Sequence, residues 1–155
     1  MVIRIAESPA DFEKAGQLFL EYAQSLDFDL GFQGFAQEIA DLSALYNAKD
    51  GGILLLSIDN QTIGCVALKR LNKEIGEIKR MFIQPDWRNK NLANPLLQAL
   101  ITLAKSLNYK ALRLDTLDTM QSALRLYKNF GFEEISAYYD TPLKNTVFLE
   151  LKIAE

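Results

Sequence analysis

The chain has 155 residues, 49% of them hydrophobic and 24% charged, with a formal charge of −3. That length suits a single domain, residues 1–155, with a sizeable core; no stretch nears the ~20 apolar residues of a membrane span. There is no histidine and one cysteine, which excludes imidazole catalysis and an intrachain disulfide and argues against a zinc site.

The N-terminal run MVIRIAESPADFEKAG carries acidic groups early and does not read as a signal peptide. The expectation is a cytoplasmic protein with no metal and no membrane partner. VIRIA predicts a first strand. Ser8 to Asp11 then carries a helix start: Ser8 as cap, Pro9 at the first helical position, and Asp11 three residues after the cap. Phe12, Ala15, Phe19 and Tyr22 continue that helix to about Ser25. LDFDLGFQGF interrupts the pattern. A second helix is expected from about Gln33 to Tyr46, burying Phe35, Ile39, Leu42 and Leu45.

GGILLLSI, TIGCVALKRL and EIGEIKRMFI predict an antiparallel meander, with Gly64 and Gly76 marking bulges or close backbone contacts. Cys65, inside IGCVAL, reads as a buried structural thiol. Pro85 stops the third strand. From about Asn91 the period changes: Ala93, Leu96, Leu97, Leu100, Ile101, Ala104 and Leu107 form one apolar helix face, with Pro95 in the first turn. ALRLDTL predicts a strand, MQSALRLYKNF a helix closed by Gly131, and FEEISAYY and NTVFLELKI two further strands. Strands alternating with helices require a partly parallel sheet, hence an α/β fold.

The turn Asp86–Asn94 joins a strand end to a helix start. Free amides and the helix end there attract an anion, and Arg88 and Lys90 add charge. With Lys79 and Arg80 they form the only compact basic group, enough for a few phosphates but small for nucleic acid, which is not expected as a partner. The turn lacks glycine. Asparagine tolerates left-handed backbone, so Asn89, Asn91 and Asn94 are compatible with a nest of amides. The alternative is a polar, asparagine-capped helix start.

EIKRMFIQPDWRNKNLANPLLQALITLAKSLNY and LDTLDTMQSALRLYKNFGFEEI resemble the GCN5-related N-acetyltransferase superfamily, over nearly the whole chain. CVAL, LDTL, LYKNFGF and the late YY-x-x-P are similar to small bacterial members. In the family's turn, Arg88 and Ala93 match the pattern and Asn91 stands where glycine is usual. The resemblance implies a mixed sheet of about seven strands flanked by helices, and acetyl-CoA as donor. The pantetheine arm of coenzyme A is then expected against the strand edge at Met81, Phe82 and Ile83. The pyrophosphate is expected on Arg88, Asn89, Lys90, Asn91, Leu92, Ala93 and Asn94.

The implied reaction is direct attack by a primary amine, of a small molecule or peptide, in a ternary complex. The resemblance places Tyr127 beside the sulfur as general acid. Glu77 is the base candidate, with Glu74 and Asp115 as competitors. Period-two alternation puts Glu77, Lys79 and Met81 on one face and Arg80 on the other, where it would secure an acidic neighbour or the phosphates. A solvated salt bridge from Glu77 to Lys79 or Lys69 is the structural alternative. Tyr22, Phe28, Phe32, Tyr138 and Tyr139 are expected to line the acceptor's mouth, and Trp87 to stack on or shield the turn. A competing expectation is a non-catalytic acyl-CoA-binding or sensing domain; another is a partner-binding domain with a dead cleft. An exposed sheet edge is compatible with a homodimer, although no residue specifies one.

Overall fold

The computed structural model describes residues 1–154. Strand β1 is Val2–Ile5, and Ser8 starts helix α1, Pro9–Gln24, through a complete capping box with Asp11. Asp11 also takes Arg4 Nη1 at 2.8 Å, which ties the first strand to the first helix. A 3-10 turn, Leu30–Gln33, leads to two short helices, α2 (Phe35–Ala40) and α3 (Leu42–Leu45). The single helix expected over 33–46 is therefore broken: Asp41, at φ −142° and ψ 42°, leaves the helical region between its halves. Leu45, expected inside, is exposed, while Leu42 and Tyr46 are buried.

β2 (Gly52–Ile58), β3 (Gln61–Arg70) and β4 (Ile75–Ile83) form the expected meander. Then follow α4 (Ala93–Ser106), β5 (Ala111–Leu117), α5 (Gln121–Asn129), β6 (Glu133–Ile135) and β7 (Thr146–Lys152). Among the described residues seven strands lie in the order β1-β2-β3-β4-β5-β7-β6, and only β4 and β5 run parallel. β6 is shorter than FEEISAYY foretold; Tyr138 and Tyr139 lie beyond it in a bend.

Alternation along β2 and β3 feeds two cores. Ile53, Leu55, Cys65 and Ala67 pack against Ala15, Leu18 and Phe19 of α1. Leu54, Leu56, Val66 and Leu68 pack against Leu96, Leu97, Leu100 and Ile101 of α4. Each such buried aliphatic side chain contributes roughly 1.5–3 kcal/mol, so the sheet and α4 hold the site's floor rigidly. Gly64 and Gly76 sit where a Cβ would come within 2.6 Å of Ile83 and 2.8 Å of Leu68 respectively, so both mark close approaches. Cys65 is fully buried and gives its Sγ hydrogen to the Arg80 carbonyl at 3.3 Å, a structural role.

Candidate active site

β4 and β5 are paired only from Ile75↔Ala111 to Glu77↔Arg113. Beyond that rung the strands separate. Ile78, Lys79 and Met81 on one side and Leu114–Leu117 on the other line a cavity of about 110 Å³. The outer edge of β4 from Lys79 to Ile83 thus keeps its hydrogen-bonding groups toward a gap, the arrangement that accepts an extended ligand as an added strand.

A bulge shapes this edge. Rungs Ala67↔Lys79 and Cys65↔Phe82 leave Arg80 and Met81 opposite Val66 alone, and Arg80 takes φ 57°. The extra residue resets the alternation. Glu77, Lys79 and Phe82 share the α1 side, Arg80 joins them, and Met81 turns to the α4 side. The expectation that Glu77 and Met81 share a face, with Arg80 opposite, is corrected by this one inserted residue.

Arg80 is 5% exposed, and each of its guanidinium nitrogens has an acceptor. Its Nε and Nη2 donate to Glu38 at 2.9 and 2.7 Å, and its Nη1 donates to Gln33 at 2.8 Å. Tyr46 donates to the same carboxylate at 2.9 Å. Burial raises the Glu38 carboxyl, but Arg80 and Tyr46 outweigh it and hold it below the usual range. From Gln33 the network runs on through a 3.5 Å contact to Tyr139, whose hydroxyl donates to Asp115 at 2.7 Å. Sequence reading had not singled out Glu38 or Gln33. Glu38 four residues after a glycine-bounded turn was the available signal, since a carboxylate in a helix packed on a sheet needs a cation.

Tyr127 lies in the cavity wall, 5% exposed, edge-on to Phe132 at 5.5 Å. Among the described residues its hydroxyl has no hydrogen-bond partner. Burial, reinforced by Tyr22 and Asp115, pushes its pKa well above the ordinary tyrosine value, so the group remains a proton carrier at neutral pH. Asp115 also lines this cavity. Glu77 does not: it sits at the last paired rung, 6% exposed, with Tyr138 donating to it at 2.8 Å. Neither Lys79 nor Lys69 forms an ion pair with it.

Of the expected acceptor residues, Tyr22 and Phe28 line the cavity, and Tyr22 meets Phe82 edge-on at 6.0 Å. Phe32 is exposed beside Phe28 and outside the lining. Tyr138 and Tyr139 meet Phe148 edge-on and donate to Glu77 and Asp115 respectively; neither tyrosine lines the cavity.

The turn opens a second hollow of about 500 Å³, lined by Ile83, Trp87, Arg88, Asn89, Asn91, Leu92, Ala93 and Asn94 and, from α5, Ser122, Arg125, Leu126 and Asn129. Asn89 and Asn91 take φ 63° and 59°, the left-handed geometry that glycine would otherwise supply. Asn94 instead lies inside α4. No side chain caps α4, and no backbone amide from Asn89 to Asn94 meets a protein acceptor among the described residues. Those amides, at the positive end of a 14-residue helix, fit a pyrophosphate. Arg88 folds back, its Nε on the Ile83 carbonyl at 2.9 Å and its guanidinium over Phe82 at 5.4 Å. Lys90 is exposed and outside the lining, whereas Arg125, which the sequence had not marked, faces the hollow. Leu126 borders both hollows, so one elongated ligand can run from turn to cavity.

This combination of a parallel pair splayed at a bulge and an open-amide turn defines an acyl-CoA transferase class. The model of the acetyltransferase (GNAT) family matches residues 17–132. An uncharacterized N-acetyltransferase of Schizosaccharomyces pombe is 33% identical over 155 residues, covering 99% of this chain and 95% of that one. N-acetylaspartate synthetase of Danio rerio is 29% identical over 108 residues, covering 68% of this chain and 38% of that one. An acetyltransferase of Salmonella typhimurium solved with its cofactor acetyl-CoA has the same fold, with a TM-score of 0.78 at 14% identity, covering 99% and 94% of the two chains. The chain belongs to the acetyltransferase (GNAT) family. It is an acetyl-CoA-dependent N-acetyltransferase acting on an amine. Among the described residues no helix is long and apolar enough to cross a membrane.

Proposed function

We propose that this chain acetylates the primary amine of a small molecule by direct attack in a ternary complex, with Asp115 and Tyr127 as the groups that move protons. The observation that carries this reading is their meeting in one cavity, at the split between β4 and β5 and next to the open amides of the turn. Acetyl-CoA bound along the two hollows supplies an activated acetyl thioester.

The backbone of Met81, Phe82 and Ile83 offers the strand edge for the pantetheine arm, and the amides of Asn89–Asn94 hold the phosphates. Asp115 receives the acceptor's ammonium and takes its excess proton. The amine's nitrogen–carbon bond then forms as the carbon–sulfur bond breaks. Tyr127 donates its hydroxyl proton toward the departing sulfur, a bond stronger to a thiolate than to a thioester; the second proton, shed by the nitrogen as the amide forms, restores the Tyr127 hydroxyl, and Asp115 returns the first to solvent. Glu77, on the same face one rung below the split, adds negative potential that draws the ammonium in, and Tyr138 fixes its position. Tyr22 and Phe28 cover the mouth. The relative named N-acetylaspartate synthetase directs the choice of acceptors toward amino acids.

The test is release of free thiol from acetyl-CoA over a panel of amino acids, polyamines, aminoglycosides and peptides, with the acetylated product weighed by mass spectrometry. Amine-dependent thiol and a product heavier by one acetyl group support the reading. Bound acetyl-CoA with no transfer to any amine would reduce the protein to an acyl-CoA-binding domain.

A further inference from the structure

The charges that line the acceptor cavity are Lys79, Arg80 and Asp115. Arg80 has its charge paired with Glu38, and each of its three guanidinium nitrogens already donates to Glu38 or Gln33. The other two remain available. Asp115 Oδ2 accepts from Tyr139, which leaves Oδ1 without a partner among the described residues. Lys79 has neither a hydrogen bond nor an ion pair there.

Lys79 is not short of acids nearby. Glu38 is taken by Arg80 and Tyr46, and Glu77 by Tyr138. Lys69 and Arg80 add repulsion. Burial first, then Arg80, lower its pKa, so its charged form gains from an anion brought into the cavity. A half-buried ammonium costs free energy when unpaired, and an arriving carboxylate removes that cost. Asp115 and Lys79 thus line one small cavity as an anion and a cation that do not pair with each other within 4.0 Å.

We propose that the acceptor is a free α-amino acid, its ammonium held by Asp115 and its carboxylate by Lys79. Two opposite charges on one carbon match two opposite protein charges, neither in an ion pair, that line one cavity. A polyamine would satisfy Asp115 but press a second cation on Lys79. A carboxylate-free amine would leave Lys79 as it is. The side chain of the amino acid would leave toward Tyr22 and Phe28, the apolar part of the mouth. This inference rests on the acetyltransfer reading above for the role of the bound amine, but not for the binding itself.

Calorimetry on the CoA-saturated protein separates the two. Matched sets of free amino acid, its carboxamide and its decarboxylated amine, with small, aliphatic, aromatic and acidic side chains, are titrated. At least one free amino acid is expected to bind about 10- to 100-fold tighter than its amide, the range for a hydrogen bond to a charged group. Lys79→Gln should bring that ratio near one, Lys79→Arg should restore most of it, and Asp115→Asn should weaken acid and amide alike. The ratio is read within each variant, so a general loss of stability does not imitate it. Equal binding of acid and amide, a ratio that survives Lys79→Gln, or no binding of any amino acid overturns the proposal. Thiol release with amines of every kind at similar rates also overturns it and leaves acetyltransfer standing. A binding ratio that holds while no amine yields thiol supports the amino-acid site and removes the transferase reading.

Discussion

Arg80 Nη2 stands 2.7 Å from Glu38 Oε1, a contact that bridges 42 positions of sequence and fastens α2 over the bulge in β4. Both side chains are nearly enclosed, 3% and 6% exposed. Removing one partner strands the other. Glu38→Ala is expected to cost about 3–5 kcal/mol, read as a lower urea midpoint at unchanged slope. A loss under 1 kcal/mol would show that the pair is solvated in solution.

The same carboxylate gives a pH dependence. Its folded pKa lies below the unfolded glutamate value of about 4.3, and that of Asp11, held down by Arg4 and by the amides of Glu7 and Ser8, lies well below the unfolded aspartate value of about 3.9. The stability from each is present above its own unfolded value and is lost as pH falls through its folded value, Asp11 last. Thermal unfolding followed from pH 6 downward should show Tm beginning to fall at about pH 4 and continuing to fall below pH 3, where Asp11 still loses its contribution. Glu38→Gln should flatten part of the fall.

Asn89 and Asn91 replace glycine by tolerating positive φ. Asn91→Gly should keep coenzyme A affinity. Asn91→Val forces a β-branched residue to φ near 60° and should cost about 1–3 kcal/mol in folding or in binding. Titration calorimetry beside a melting curve assigns the loss to one or the other. A valine variant that matches the parent in both would mean the turn relaxes.

Tyr127→Phe keeps the ring packed on Phe132 and removes the donor. Acetyl-CoA affinity should survive while kcat falls about 10²-fold, at the low end of general acid effects. Full activity, measured where chemistry limits the rate, would assign the hydroxyl to the cavity wall.

Glu77→Gln should lower turnover most at low pH, where the acceptor is mainly protonated and needs the added negative potential, with coenzyme A binding nearly constant. Tyr138→Phe, which frees Glu77 without discharging it, should have the smaller effect. A pH–rate profile unchanged in Glu77→Gln would make the residue structural.

Element order was legible because periodicity is local: the meander, α4 and the strand LRLDTL are each written in their own residues. The turn was legible for the same reason, since an asparagine carries its backbone tolerance with it. Asn94 shows the limit. It has the same side chain as Asn91 but sits within α4, because helix propagation decided its backbone. The bulge at Arg80 was hidden, as arginine has no preference for positive φ. It is held there by Glu38 and Gln33, partners far off in sequence. Placing Met81 with Glu77 failed on that inserted residue alone. Where β4 and β5 part is not written in the sequence, so nothing there shows that Asp115 rather than Glu77 lines the cavity. The hydroxyls of Tyr138 and Tyr139 donate to Glu77 and Asp115, partners far off in sequence that no local pattern announces.

The claim on which all of this depends is that a turn without glycine holds the pyrophosphate of acetyl-CoA. Titrating the protein with coenzyme A and, separately, with pantetheine lacking every phosphate tests it most directly. The open amides of Asn89–Asn94 at the start of α4 predict markedly tighter binding of coenzyme A, weakening as salt is added. Equal affinities for the two ligands would contradict the account.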